Sequence, residues 1–175
     1  TDGADAPEDV TRVVASDPRR LGSRGSTGVT FTEFLDFECE ACGAAYPAIE
    51  ELRKEFAGKV TFQIRYFPLP GHGNSRPAAH AVEAAAQQGK LVAMYQMMYE
   101  NQESWGEQQT SQAEVFRGFA KEIGLNMKEY DSDVDDPKTA ARVERDVQAG
   151  TALGVASTPS FFINEEPFQG QSIDD

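Results

Sequence analysis

The chain has 175 residues, 39% of them hydrophobic and 11 of them Phe, which is enough for one domain to bury a core without a disulfide or metal staple. Its 29 acidic and 16 basic side chains leave a net charge of −13; that surface repels phosphate backbones, no basic cluster offsets it, and nucleic acid is not an expected partner. No run approaches the roughly 18 consecutive apolar residues of a membrane span.

In chain order, residues 1–8 read as a disordered, acidic lead-in without the pattern of an export signal, so a signal or anchor would have to lie outside this sequence. A short extended segment is expected over Val10 to Ala15, turned by Asp17-Pro18 and followed by a Gly-rich loop from Gly22 to Gly28. Val29 to Phe37 is the first clear strand. Val29, Phe31, Leu35 and Phe37 share one face, and Glu33 interrupts that apolar row with a carboxylate. After Cys39 the spacing turns helical: Ile49, Leu52 and Phe56 lie on one stripe, Pro47 is expected to kink it, and Gly58 to stop it. Val60 to Phe67 is a second strand, and Pro68 to Asn74 a turn region.

Only helical signals follow from Ser75 to Gly150. Pro77 to Gln88 is Ala-rich, Leu91 to Glu100 carries Leu91, Met94, Tyr95 and Met98 on a stripe, and Gln112 to Ile123 carries Val115, Phe116, Phe119 and Ile123. Asp136-Pro137 is an N-cap and first-turn pair for a helix to about Gln148. Strand pattern resumes at Ser160 to Ile163, with a turn over Asn164 to Glu166 and a short strand around Phe168. Ser172, Asp174 and Asp175 resemble the N-cap of a helix that never follows, so the sequence is expected to stop short of a final helix.

The chemistry is concentrated in one place. The chain has two cysteines, Cys39 and Cys42, at a strand-to-helix junction. Unpaired amide N–H groups and the positive end of the helix dipole favour a thiolate there. Cys39 is expected to be exposed and reactive, and Cys42 shielded and able to resolve a mixed disulfide. A zinc site needs two more ligands, and neither a second CxxC nor a suitable His pair supplies them: His72 reads as a solvated loop residue and His80 as a helix-surface one. An inert structural bridge would close too small a loop to staple anything distant. Redox activity is favoured over both.

With those features in hand, residues 28–171 resemble the DsbA-like branch of the thioredoxin superfamily: CEAC at 39–42, Pro47 five residues later, a helical stretch where that branch inserts a helical domain, and GVASTPSFFIN leading into a strand. The resemblance implies an α/β, thioredoxin-like fold with an inserted all-helical domain. It divides the chain into an N-terminal extension (1–27), a first half carrying the CxxC (28–74), a helical insertion (75–150) and a closing hairpin (151–175). It also implies that Cys39 is the nucleophile, Cys42 the resolving thiol and partner in a redox disulfide, and that Thr158 with a cis Pro159 binds an extended substrate peptide through its backbone. Glu33, six residues before Cys39, would be a buried acid relaying the proton of Cys42; the alternative is a salt bridge to Arg65.

The spacer Glu40-Ala41 departs from the Pro-His of the best-known DsbA pattern. Its carboxylate, with Asp36 and Glu38, predicts a less stabilised Cys39 thiolate and a less oxidising disulfide. The Met94, Met97, Met98 group and Trp105 are expected to pack, and the acidic runs 131–136 and 165–166 to be solvated.

The expected activity is oxidation of cysteines in secreted or envelope proteins as they fold, outside the cytoplasm (in the periplasm or cell envelope), by a monomer that needs no bound cofactor or metal. The resemblance implies a membrane, quinone-linked redox partner of the DsbB or VKOR-like type. A disulfide reductase or isomerase, and a binding or chaperone module on the same scaffold, are the competing readings.

Overall fold

A computed structural model describes residues 9–172 and 174–175; the expectation for residues 1–8 lies outside them. A five-stranded mixed sheet has the order β1-β3-β2-β4-β5. The strands are β1 (Arg19–Arg20), β2 (Val29–Leu35), β3 (Val60–Tyr66), β4 (Ser160–Ile163) and β5 (Glu166–Pro167). β2 and β3 run parallel from Val29↔Val60 to Leu35↔Tyr66, joined by helix α1 (Glu40–Glu55), which continues through Pro47. β4 lies antiparallel on the other side of β2, pairing Phe31 with Ile163 and Phe34 with Ser160.

Between β3 and β4 come six helices: α2 (Ser75–Gln87), α3 (Leu91–Glu100), α4 (Gln102–Trp105), α5 (Ala113–Glu122), α6 (Met127–Val134) and α7 (Pro137–Ala152). α7 starts as its sequence dictates, with Asp136 accepting from the Lys138 amide at 2.8 Å and Pro137 in the first turn, and it runs four residues past the expected end. The Ala-rich helix α2 buries six of its apolar residues and forms the middle of the helical group.

Strand alternation sorts the core into two layers. Leu35, Phe62, Ile64 and Tyr66 face α2 and α3, where Met94, Tyr95 and Met98 are fully buried. Phe34 and Phe162 project from the other face and pack with Val13, Phe67 and Val155 beneath α7. Gly150 lets α7 approach closely, because a Cβ there would stand 2.8 Å from the Phe67 ring. Arg65, opposite Phe34 on this second face, donates to Asp146 of α7 at 2.8 Å, and Asp146 also accepts the Tyr66 amide at 3.1 Å. Across the first face Glu83 receives Arg19 at 2.9 Å and the Tyr66 hydroxyl at 2.8 Å, which ties α2 to β1 and β3.

The N-terminal segment departs from expectation. Val10 to Ala15 is turn and bend rather than strand, because Asp9 takes the Thr11 amide at 2.9 Å and Glu165 takes the Val13 amide at 2.6 Å. Side-chain carboxylates thus use donors that a ladder would need. The edge strand forms instead at Arg19–Arg20, pairing antiparallel with β3. The last strand lies at Glu166–Pro167, just before the expected Phe168, after a turn in which Asn164 adopts φ 52°.

Candidate active site

β2 ends at Leu35 and delivers residues 36–39 to the top of the sheet, where Cys39 is the N-cap of α1 in extended conformation. Its amide donates to the Asp36 carbonyl at 3.2 Å, and its own carbonyl accepts the Gly43 amide at 3.1 Å to begin the helix. Both cysteines carry free thiols. Cys39 is 8% exposed and Cys42 1%, so the first cysteine keeps only a sliver of surface rather than the open position expected for it. The order of access still holds: a visitor meets Cys39 first. Spacer residues Glu40 and Ala41 are exposed on the first turn of α1.

The loop before β4 closes over the sulfurs. Thr158-Pro159 is a cis peptide bond, and the Cys39 thiol donates to the Thr158 carbonyl at 3.6 Å across 119 residues of chain. The Thr158 hydroxyl is buried with no hydrogen-bond partner, close enough to favour a Cys42 thiolate slightly. Burial is the larger influence on Cys42 and pushes its thiol well up, and the Glu33 charge pushes the same way. Cys42 therefore favours the protonated thiol, and a thiolate formed there calls for a nearby proton donor.

Glu33 lies below, 3% exposed on the apolar face, and desolvation alone pushes its carboxyl up to about 8. Arg65 projects from the opposite face into Asp146, so it is not the partner of Glu33. The raised acid and the buried cysteine stand together, and tyrosines surround them. Tyr99 donates to the Asp36 carbonyl at 3.3 Å, and Tyr95 keeps a buried, unpartnered hydroxyl.

Several residues had other surroundings than the sequence suggested. Asp36 and Glu38 do not spread charge into solvent; both are buried. Asp36 accepts from the Glu38 and Leu69 amides at 2.9 and 3.0 Å, from the Ser75 hydroxyl at 2.5 Å, and bonds His72 Nδ1 at 2.8 Å. Glu38 accepts from the Asn74 amide at 2.8 Å and the Glu107 amide at 3.2 Å. Amide donors are what a buried carboxylate requires, and the expected turn at 68–74 provides two of them, from Leu69 and Asn74. His72 is accordingly not a solvated loop residue: its bond to Asp36 raises its pKa. His80 is half-buried, and desolvation lowers its pKa. Trp105 is fully buried edge-on to Phe116, with ring centroids 4.8 Å apart, and its indole donates to the Met98 carbonyl at 3.0 Å.

Gln102 was not singled out by its sequence. From the start of α4 its amide donates to the carbonyls of Phe37 at 2.7 Å and Cys39 at 2.9 Å. The sole trace in the sequence is Gly43 beside the CxxC: a Cβ there would collide with the Gln102 amide, whose Cδ lies 2.8 Å away.

An apolar groove of about 780 Å³ runs between α1 and the sheet, from Phe56 and Ile163 to Pro159. Among the described residues no group of three or more His, Cys, Asp and Glu side chains is set to hold a metal ion, and no helix is long and apolar enough to cross a membrane.

Known proteins agree with this geometry. A family model described as thioredoxin matches residues 17–175. Among solved structures, the thiol-disulfide exchange protein α-DsbA2 from Wolbachia pipientis superposes with a TM-score of 0.74 at 22% identity, covering 90% of this chain and 82% of that one. BdbD from Bacillus subtilis, in its oxidised form, gives 0.69 at 21% identity, covering 84% and 83%. These likenesses establish the fold: a thioredoxin-like α/β sheet with helices inserted between β3 and β4. Among curated proteins, the Na(+)/H(+) antiporter NhaA 1 of Mycobacterium sp. (strain KMS) is 35% identical over an alignment of 179 positions, gaps included, that covers 97% of this chain and 28% of that protein. The chain thus spans under a third of the length of the first curated relatives it matches.

Proposed function

This chain belongs to the thioredoxin family, its fold is that of the DsbA-like proteins, and from that premise we propose that it exchanges disulfides with cysteine-bearing proteins through Cys39 and Cys42. The observation that carries this reading is the Cys39 sulfur, at the N-cap of α1, 3.6 Å from the carbonyl of Thr158 in the loop before β4. A helix N-terminus stabilises the thiolate that does the chemistry, and the loop presents backbone to an incoming extended peptide. Apolar side chains of such a peptide would find the groove that starts at Pro159.

In the oxidising direction the chain starts as a Cys39–Cys42 disulfide. A substrate thiolate attacks the Cys39 sulfur; a mixed disulfide forms as the Cys39–Cys42 bond breaks, and Cys42 leaves as a thiolate. Buried as it is, that thiolate takes a proton from Glu33, which at neutral pH is mostly protonated. A second substrate thiolate attacks the substrate sulfur of the mixed disulfide and releases Cys39 as a thiolate. Two electrons pass from the substrate dithiol to the chain, and no cofactor takes part. A membrane redox partner of the DsbB or VKOR-like type would remove them and restore the disulfide.

The test mixes the oxidised chain with a reduced, unfolded, cysteine-containing protein. Disulfides should appear in the substrate faster than with glutathione disulfide at equal concentration, and Cys39→Ser should abolish the effect. A wild-type chain that binds the unfolded protein as tightly as Cys39→Ser does, yet forms no disulfides in it, would be a peptide-binding module instead. Equilibration with glutathione sets the direction: a potential near about −120 mV makes it an oxidase, and one near about −270 mV a reductase.

The location we propose is outside the cytoplasm, in the periplasm or cell envelope. Relatives named as antiporters carry a segment like this chain within a much longer polypeptide, which supports work at a membrane surface. After an impermeant reductant opens the pair, a membrane-impermeant maleimide should label Cys39 in intact cells, and labelling only after lysis would refute this location.

A further inference from the structure

The approach to the redox pair is gripped from the helical side. Three hydrogen bonds from two side chains of α3 and α4 reach residues 36–39: the Tyr99 hydroxyl donates to the Asp36 carbonyl at 3.3 Å, and the Gln102 amide to the Phe37 and Cys39 carbonyls at 2.7 and 2.9 Å. Gln102 itself is held firmly. Its carbonyl accepts the Gly106 amide at 2.7 Å, and its short helix is pinned by Trp105, which is buried and bonded to the Met98 carbonyl at 3.0 Å.

We propose that Gln102 is a positioning residue for the thiol chemistry: both hydrogens of one side-chain amide clamp the carbonyls of Phe37 and Cys39, so that the helix N-terminus stays aimed at the reacting sulfur. The inference rests on the oxidoreductase reading above for its purpose but not for its geometry. The Cys39 carbonyl also accepts the first helical bond of α1, from the Gly43 amide at 3.1 Å. A second donor on that oxygen, from the amide that also holds the Phe37 carbonyl, fixes the plane of the Cys39–Glu40 peptide, whose N–H is the first at the helix N-terminus. Free amides stabilise an anion only along their own direction, so a turn of this peptide withdraws them from the sulfur. Gly43 is the counterpart of the clamp: any side chain there would strike the Gln102 amide.

The experiment uses the whole chain and reads the alkylation rate of reduced Cys39 against pH, together with thermal stability. Gln102→Met keeps the length of the side chain and removes both donors. Its alkylation at neutral pH should fall about tenfold, the scale of one or two ordinary hydrogen bonds, and its pH profile should move upward. Gly43→Ala should give the same loss although Ala is the better helix former, and it should add nothing in a Gln102→Ala background, where no amide remains to displace. Wild-type rates and pH profile in Gln102→Met would overturn the proposal, whatever happens to stability. So would an equal Gly43→Ala loss with and without Gln102. If the wild-type chain fails to exchange protein disulfides while alkylation still depends on Gln102, the clamp stands and the oxidoreductase reading falls.

Discussion

Glu33 puts a carboxyl, 3% exposed, where a charge is costly. Alternation along β2 places it among Phe31 and Leu35, and burial without a basic partner follows once Arg65 is seen to face the other way. The consequence for stability has a definite sign. Its folded pKa, about 8, lies above the ordinary 4.5, so the folded chain holds the proton more tightly than the unfolded one. Stability from this group therefore falls as pH rises from about 4.5 to about 8 and stays low above that. Relative to wild type, Glu33→Gln should gain several kcal/mol of unfolding free energy between acid and alkaline pH, at about 1.4 kcal/mol per pKa unit. Denaturant titrations of both proteins at pH values on either side of that window check it; a difference that does not change with pH would remove the buried acid. What the alternation could not tell was the fate of Asp36 and Glu38. Their neutralising donors, the amides of Leu69, Asn74 and Glu107, come from turns whose path depends on tertiary packing.

At the scale of elements, the strands and helices were legible where their apolar period was strong. β2, β3, α1 and α3 lie within a few residues of where spacing puts them, and the cap pair Asp136-Pro137 opens α7 as its chemistry requires. The failures have one cause. The amides of Thr11, Val13 and Val14 go to the Asp9 and Glu165 side chains, and a carboxylate 152 residues away from Val13 leaves no local mark in sequence. Asp146 is equally non-local: it joins α7 to β3 by accepting from both the Arg65 side chain and the Tyr66 amide. Asp146→Ala should destabilise the chain by about 3 kcal/mol or more, because a guanidinium and an amide lose a buried carboxylate together. Chemical denaturation measures this; a loss under about 1 kcal/mol would mean that the pair contributes no more than a surface bridge.

For the whole molecule, the order of elements and the place of the cysteine pair were readable because each rests on local pattern: a CxxC at a strand-to-helix junction, a Thr-Pro before an apolar strand, and only helical spacing between. Their meeting was not readable. Thr158 reaches Cys39, Gln102 reaches the Cys39 carbonyl and Glu33 lies beneath Cys42 only because the sheet order brings β4 beside β2 and the helical group over its end. The proposed exchange depends on that convergence, since the disulfide it passes on forms and breaks between Cys39 and a shielded second sulfur.

The most direct measurement is therefore a trap. Cys42→Ser leaves Cys39 able to join a substrate sulfur and removes the thiol that would release it. Incubated with a protein carrying an accessible disulfide, this variant should accumulate a one-to-one mixed disulfide, reversible by dithiothreitol and mapped to Cys39 by peptide mass. Free Cys42→Ser protein after prolonged incubation, with Cys39 still available to a small alkylating reagent, would contradict the account at its centre.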